Sequence, residues 1–484
     1  MALFNFKKTA VEKTVNLAGG EAFVMTPELE LASLVLTSFA QEQFYRDQKA
    51  SFDDLAKAMS KCAPEFVAKT GVYARREFGM RSITHALAAE LASGASGQAW
   101  AKSFYDKIIN RPDDMLEIAA YYKAKGGKNL PNAMKKGFAS AFDRFDAYQL
   151  AKYRGENKAL KLVDLVNLVR PVPTAKNADG LKALVEGTLR NTETWEAKLT
   201  QAGQKAESDE EKMDLKAAAW TELVKGNRLG YFALVRNLRN ILEQAPELTP
   251  SVCAQLVNKD RIRQSLVLPF RLVVAYKQLD SNNSQARQVR EYLSKAIDIA
   301  CQNIPALENT LVVVDNSGSM GMRMAKSEMT YAEMGALFGM ALAKRSNADL
   351  MEFGDTARYI KFNLSDSAIE FSANFQGLNK VGHGTNFHSI FEKAQKRYDR
   401  IVIFSDMQGW VHYTNPTTAL ATYKRRTGAN PYIYSFDLAG YGSLQFPERN
   451  VFALAGFSEK VFDLMRVLET DRHALVNKIK SVAL

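Results

Sequence analysis

The hydrophobic pattern of the chain changes near residue 305, and this change restricts the architectures open to it. From about residue 27 to 303, apolar residues recur at helical spacing, with almost no strand-like alternation. Beyond residue 305, apolar runs alternate with helical stretches; the runs cover 311–314, 349–353, 401–404, 432–436 and 451–454. Many short helices predict an α-solenoid, and the alternation predicts a doubly wound α/β domain. We therefore predict two domains, at residues 1–304 and 305–484.

Prolines divide the helical part into short units. Thr26-Pro27-Glu28 offers an N-cap, a proline in the first turn and an early acid, which together predict a helix start. The apolar spacing predicts single helices over 129–153, 229–245 and 260–279. No fixed sequence period is visible, so any repeat is structural only.

Oxygen-bearing side chains follow two of the apolar runs in the second part. The run 311–314 ends at Asp315, and Ser317 and Ser319 follow at alternate positions. The run 401–404 leads to Asp406, and Thr385 lies in a loop with glycines at 382 and 384. Ligands bind beyond the carboxyl ends of parallel strands, and oxygen ligands suit a hard cation such as Mg²⁺. These five residues are the predicted metal ligands.

The spacing Asp-x-Ser-x-Ser, followed by a loop threonine and a strand-terminal aspartate, resembles the metal-ion-dependent adhesion site of von Willebrand factor A domains. His383 and His388 flank Thr385, but zinc favours three or four nitrogen or sulfur ligands, so we expect a hard divalent ion. Two roles remain open for this ion. It either shapes the loops or captures an acidic side chain of a protein partner.

Charge is distributed unevenly between the two parts. The net charge is +11, of which +9 falls in residues 1–300 and +2 in the remainder. A basic half favours a polyanionic partner, although lysines and arginines also solvate ordinary helix faces. Three distant cysteines form neither a metal-binding spacing nor a disulfide framework. No signal peptide or membrane-spanning run is visible, so we expect a cytoplasmic protein.

Basic residues alternate with aromatic ones in the helical part, as RNA-binding surfaces require for phosphates and exposed bases. On one predicted helix Arg144, Tyr148 and Lys152 would share a face, whereas Phe138, Phe142 and Phe145 belong to the core. His85 lies among apolar neighbours and is predicted to be a packing residue. The candidate RNA-binding residues are Arg75, Arg76, Arg81, Lys135, Lys136, Arg144, Lys152, Arg154, Lys158 and Lys161.

Several segments of the helical part resemble the TROVE module of the Ro ribonucleoprotein autoantigen family, in particular its bacterial members. They include 73–81 (YARREFGMR), 145–154 (FDAYQLAKYR) and 165–171 (LVNLVRP), and a von Willebrand factor A-like domain follows them. The resemblance implies a HEAT-like ring of α-helical repeats closed by a doubly wound, Rossmann-like A domain. It covers nearly the whole chain, from about residue 16 onward.

The same resemblance implies an RNA-binding function. Family members bind small structured noncoding (Y) RNAs on the ring and admit single-stranded 3′ ends of misfolded RNA into its hole. Some bacterial relatives work with an exoribonuclease in RNA quality control or processing. We therefore expect RNA rather than DNA as partner, no membrane, and a monomer.

The sequence offers no supported catalytic arrangement, so we expect no enzymatic activity. Two alternatives remain. The chain could be a protein-interaction scaffold that uses the A domain, or a hydrolase that uses a metal held by Asp315 and Asp406.

Overall fold

The structure is a computed structural model of the 484-residue chain. It describes residues 13–15, 21–37, 48–156, 158–189, 195–265, 270–301, 304, 306–323, 329–409, 416–439, 443–444, 450–454, 465, 468–469, 471 and 473–484. Pro305, the first residue of the predicted second domain, lies outside this set. The last helix before the boundary ends at Ala300, and the next strand begins at Thr310.

Short helices build the N-terminal part, as predicted. They are α1 Pro27–Thr37, α2 Gln48–Ser60, α3 Pro64–Glu77, α4 Ser82–Glu90, α5 Ala101–Lys107, α6 Pro112–Ala124, α7 Asn132–Ala141, α8 Ala147–Lys152, α9 Leu162–Val169, α10 Ala178–Val185, α11 Trp195–Lys205, α12 Asp209–Lys225, α13 Tyr231–Arg236, α14 Leu238–Gln244, α15 Thr249–Leu256, α16 Lys259–Ser265, α17 Phe270–Lys277 and α18 Ser284–Ala300. Proline begins α1, α3 and α6, where the missing N–H leaves no helical hydrogen bond unmade. No described helix has the length and apolar character that crossing a membrane requires.

The single helix predicted over 129–153 is wrong. The chain leaves α7 through a 3-10 turn, Phe142–Arg144, and Phe145 is extended with φ −102° and ψ 134°. Asp146 then caps α8, because its Oδ1 accepts from the Gln149 N–H at 2.8 Å while the Gln149 side chain accepts from the Asp146 N–H. The predicted helix 229–245 is likewise divided in two, into α13 and α14. For the predicted helix 260–279, residues 266–269 lie outside the described residues, so its continuity stays a prediction.

The helices stack in two layers. In the first half of the array α1, α3, α5, α7 and α9 pack on one another in succession, and α2, α4 and α6 form the second layer. This packing of each helix on the next but one is what stacked helix pairs produce. At Gly137 of α7, a side chain would collide with Tyr105 Cβ, so glycine permits α7 to lie close against α5. The predicted HEAT-like repeat is therefore confirmed.

A six-stranded sheet forms the core of the C-terminal domain. Its strands are β3 Thr310–Asp315, β4 Asp349–Phe353, β5 Ala357–Ile360, β6 Arg400–Ser405, β7 Tyr432–Asp437 and β9 Val451–Leu454, in the order β5-β4-β3-β6-β7-β9. All neighbours are parallel except β4 and β5. The domain's helices are α19 Tyr331–Ser346, α20 Ala368–Asn374, α21 Phe387–Lys393, α22 Pro416–Thr427 and α23 Ala474–Lys480. The predicted doubly wound α/β domain is confirmed, with the antiparallel edge strand β5 as an addition.

The C-terminal domain contacts both ends of the helical array. At one end α23 packs on α1 and α3, and Lys69 Nζ donates to the Lys480 carbonyl at 2.9 Å. A small sheet adds to this contact: β1 Lys13–Val15 pairs with β2 Glu21–Val24, which pairs with β8 Ser443–Leu444. At the other end α20 packs on α17 and α18. The domain therefore joins the first helices of the array to the last ones, as a ring requires.

Candidate functional site

Two carboxylates meet at one edge of the six-stranded sheet. Strands β3 and β6 are parallel neighbours, with Val314 paired to Phe404, so their carboxyl ends lie side by side. Asp315 ends β3, and Asp406 follows β6 directly. Both side chains are buried, with at most 1% of their surface exposed. Strand pairing therefore brings together residues that are 91 positions apart in the sequence.

The hydroxyl groups of the predicted site surround these carboxylates. Asp315 Oδ1 accepts from the Ser317 N–H at 2.8 Å, and the Ser317 and Ser319 hydroxyl oxygens are 3.4 Å apart. The Ser319 side chain hydrogen-bonds to Asp406, whose Oδ1 also accepts from the Gln408 N–H at 3.2 Å. The tight loop after β3 thus turns both serines toward the two acids.

Thr385 reaches the same edge on a separate loop that is fixed by its backbone. The Gly318 N–H donates to the His383 carbonyl at 2.8 Å, which ties this loop to the one after β3. Asp355 accepts from the N–H groups of His383 and Gly384, each at 3.1 Å. The Thr385 hydroxyl is buried and makes no hydrogen bond within the described part of the chain. Buried polar atoms normally have a partner, so this oxygen is available to a ligand.

The electrostatics of the edge are compatible with a bound cation. Burial raises the pKa of Asp315 and of Asp406, and the negative charge of Asp315 raises the pKa of Asp406 further. Among the described residues, no lysine or arginine pairs with either carboxylate. No group of three or more His, Cys, Asp or Glu side chains that could hold a metal is found there either, which leaves hydroxyl oxygens to complete the donor set. Two acids with three hydroxyls fit a hard divalent ion.

Sequence reasoning missed two residues at this edge. The Ser405 hydroxyl donates to Asp315 Oδ2 at 2.5 Å, and Asp437 ends β7, where it pairs in register with Ser405. Asp437 also raises the pKa of Asp406. The available signal was that an apolar run at 432–436 ends in an acid, as the run at 311–314 does.

Several candidate RNA-binding arginines make contacts between helices. Arg75 is buried and donates to Asp114 Oδ2 at 2.7 Å. Arg76 donates to the Lys107 and Ile109 carbonyls at 2.7 and 3.1 Å. Arg144 donates to the Asp106 and Ile109 carbonyls at 2.7 and 3.1 Å and also pairs with the Asp106 carboxylate. Arg76 and Arg144 therefore satisfy carbonyl groups at the end of α5.

Some of the remaining candidate side chains form ion pairs and others do not. Arg81 pairs with Asp113 at 3.0 Å, Lys152 with Glu196 at 3.6 Å, Arg154 with Glu156 at 3.1 Å, and Lys158 with Glu117. Within the described residues, the side chains of Lys135, Lys136 and Lys161 make no ion pair or hydrogen bond, and Lys136 and Lys161 are exposed. We call these three the lysine surface; they lie on the neighbouring helices α7 and α9 or next to them.

The predicted core residues of this region are confirmed. Phe138, Phe142 and Phe145 are buried. His85 is buried as well, and its Nε2 lies 2.9 Å from Asp114 Oδ1. The expected common face of Arg144, Tyr148 and Lys152 does not exist, because the turn at 142–146 separates Arg144 from α8.

Comparisons with known proteins identify both parts of the chain. The TROVE domain family matches residues 2–214 and 186–336, and the Ro60 vWA domain family matches residues 309–468. The crystal structure of the Deinococcus radiodurans Ro (Rsr) protein is similar to this one, with a TM-score of 0.58 and 18% sequence identity, over 91% of this chain and 99% of that one. This likeness confirms the fold.

Two curated relatives are much longer proteins than this chain. Telomerase protein component 1 of Mus musculus and that of Rattus norvegicus are each 22% identical to the chain over 350 residues, covering 54% of it. The chain spans only 13% of the length of these two relatives.

Proposed function

The chain belongs to the TROVE family and carries a Ro60-type von Willebrand factor A domain, and from that premise we propose that it is an RNA-binding protein of the Ro type. The family binds RNA. We propose a small structured noncoding RNA, Y-like in kind, as the ligand of the helical ring, and single-stranded 3′ ends of misfolded RNA as ligands of its hole. The role is assistance in RNA quality control or processing.

The lysine surface, which lies in the basic part of the chain, is the observation that carries this proposal. Residues 1–300 hold a net charge of +9, against +2 for the rest. Most of the candidate cations there have internal partners, whereas the side chains of the lysine surface have none among the described residues, and Lys136 and Lys161 are exposed. Phosphate groups bind such lysines by releasing counterions, which gives affinity without sequence preference.

The site at the sheet edge is proposed to hold Mg²⁺ or a similar divalent ion. Asp315 and Asp406 would supply its charge, and Ser317, Ser319 and Thr385 would supply hydroxyl oxygens or hold bridging waters. The unpartnered Thr385 hydroxyl and the raised pKa of the two buried acids support this assignment. We propose that the ion shapes the loops and leaves one position for an acidic side chain of a protein partner.

We further propose a non-catalytic protein of the cytoplasm that works as a monomer and delivers RNA to an exoribonuclease. RNA incubated with the purified protein and Mg²⁺ should remain intact. Cleavage that disappears in Asp315→Ala would establish a metal-dependent hydrolase instead.

An electrophoretic mobility shift with a small structured RNA at about 100 mM salt tests RNA binding. Lys136→Ala/Lys161→Ala should weaken binding and reduce the salt slope by about 0.7 to 0.9 for each phosphate that the variant no longer neutralises. The matched control is Lys393→Ala/Arg397→Ala, which removes two exposed cations from the nearly neutral C-terminal domain.

If the wild-type protein gives no shift while it retains a protein partner, it is an interaction scaffold. If both double variants lower the slope equally, the lysine surface has no special role.

A further inference from the structure

A pocket of about 500 Å³ opens between α11, α12 and α14, and it shares no lining residue with the lysine surface or the sheet edge. Its lining includes Trp195, Lys212, Lys216, Trp220, Asn240 and Gln244. We call it the tryptophan pocket. It combines a flat aromatic group, side-chain amides and cations, and none of the functions derived above uses it.

Two stacked tryptophans form the aromatic side of the tryptophan pocket. Trp220 is buried and stacks on Trp195, with ring centroids 6.4 Å apart and an interplanar angle of 22°. The Trp220 Nε1–H donates to Gln244 Oε1 at 2.9 Å. Trp195 itself is only half-buried, so part of this residue remains accessible. A rigid, partly exposed indole is the kind of surface on which nucleobases stack.

The amide groups present one acceptor and one donor. Asn240 Nδ2 donates to Asn237 Oδ1 at 3.2 Å, which leaves the Asn240 oxygen able to accept. Gln244 uses its oxygen for Trp220, which leaves its NH₂ group able to donate. Every nucleobase carries both donors and acceptors on its edge, so this pair complements an unpaired base.

The cations lie on one turn of α12. Lys212 and Lys216 are four residues apart, and their Cε atoms approach the position of a Cβ at Gly203 of α11 to 4.0 and 3.6 Å. In the part of the chain that is described, neither lysine makes an ion pair, and the residues lining the pocket include no acid. The absence of a side chain at Gly203 leaves room for both ammonium groups at the mouth.

We propose that the tryptophan pocket binds one unpaired nucleotide of single-stranded RNA. The base stacks on Trp195, its edge contacts Asn240 and Gln244, and the flanking phosphates contact Lys212 and Lys216. This inference rests on the proposed RNA-binding function and deepens it, because it adds a second binding point that takes an unpaired nucleotide.

The test measures binding of a fluorescein-labelled single-stranded decaribonucleotide to the full-length protein by anisotropy. Lys212→Ala/Lys216→Ala should weaken binding about tenfold and lower the salt slope by about 1.4, since each neutralised phosphate of a single strand contributes about 0.7 to that slope. Asn240→Ala should weaken binding about fivefold without a change of slope, because it removes no charge. An unlabelled oligonucleotide should quench tryptophan fluorescence, and Trp195→Phe should keep the affinity within about threefold while it loses most of the quenching.

The matched control is Lys205→Ala/Lys225→Ala, which removes two exposed lysines from the ends of the same two helices, outside the pocket. It should change the affinity less than about twofold. Wild-type-like oligonucleotide affinity in Lys212→Ala/Lys216→Ala and in Asn240→Ala, with no quenching in the wild-type protein, overturns the proposal. If these variants instead lose a co-purifying protein, the pocket binds a peptide, which also overturns it.

The two proposals fail separately. If the wild-type protein shifts structured RNA and the pocket variants bind the oligonucleotide normally, only the proposal for the tryptophan pocket is disproved. A wild-type protein that binds neither RNA disproves the RNA-binding function as a whole.

Discussion

Buried carboxylates occur in both halves of the molecule, but their surroundings differ. In the helical array Asp114 accepts from Arg75 and His85, and the Asn110 and Arg111 N–H groups donate to it as well. Burial alone would raise the pKa of Asp114, but the hydrogen bond from His85 and the charge of Arg75 hold it well below its ordinary value. At the sheet edge, burial raises the pKa of Asp315 and Asp406.

The difference separates an acid that has a protein counterion from a pair that we propose as a metal site. Asp114 has its counterion within the fold, so it links α3, α4 and α6 without any ligand. Asp315 and Asp406 face each other without a cation among the described residues, an arrangement that is unfavourable unless an ion or a proton is added. A buried acid with a protein counterion therefore indicates packing, and a buried pair without one indicates a site.

Loss of Arg75 should have the largest effect. Arg75→Ala leaves the Asp114 carboxylate buried without its main cation, which should cost about 3–5 kcal/mol in the free energy of unfolding. Urea denaturation followed by circular dichroism measures it. As a control, Lys61→Ala removes an exposed partner of Glu30 at 2.9 Å and should cost no more than about 1 kcal/mol. Equal losses in the two variants would mean that the Asp114 cluster is not a structural centre.

Mg²⁺ should stabilise the protein by binding to Asp315 and Asp406. At about 100 times its dissociation constant the ion should add about 2.7 kcal/mol to the free energy of unfolding. Because the pKa of both acids is raised, protons compete with the ion at low pH, and the stabilisation should grow as the pH rises from 5 to 8. Asp406→Asn should abolish it. Thermal unfolding with Mg²⁺ or with a chelator measures this, and an Asp406→Asn variant that still gains stability from Mg²⁺ would contradict the assignment.

In each region, the sequence predicts features that depend on residues close together in the chain. Asp315, Ser317 and Ser319 lie within five residues, so their spacing alone places them on one loop, and strand-terminal positions suggest Asp406. The sequence analysis did not include Ser405 and Asp437 in the site, because their positions beside Asp315 and Asp406 depend on the pairing of β6 with β3 and β7.

For the same physical reason, charge counting alone cannot locate a binding surface in the helical array. The partners of Arg75, Arg76 and Arg144 lie 31 to 39 residues away on other helices. A composition of excess lysine and arginine cannot distinguish such internal pairs from an accessible surface. The helix break at 142–146 is different, since Asp146 and Gln149 form a local capping box that the sequence does contain.

Thr385→Val refines the comparison further. The substitution removes the hydroxyl at nearly constant volume, and this oxygen has no hydrogen bond to lose among the described residues. The metal-free protein should therefore keep its stability within about 1 kcal/mol, while Mg²⁺ affinity, measured by calorimetry, should fall about tenfold. Ser389→Ala is the control: its hydroxyl donates to the Asn386 carbonyl at 2.7 Å, so it should lose stability and keep its affinity. The reverse outcome would make Thr385 a packing residue.

The smallest effect is expected where the two regions meet. Asp315→Ala should abolish metal binding but change RNA affinity less than about twofold, because the lysine surface and the sheet edge share no residue. One ion pair could transmit a change: α19 begins after the Asp315 loop, and its Glu333 accepts from Lys277 of α17 at 2.5 Å. If Asp315→Ala weakened RNA binding strongly in a mobility shift, the same loss in Lys277→Ala would assign the coupling to this ion pair. The two regions would then act as one unit, in which the ion holds the ring in its RNA-binding form.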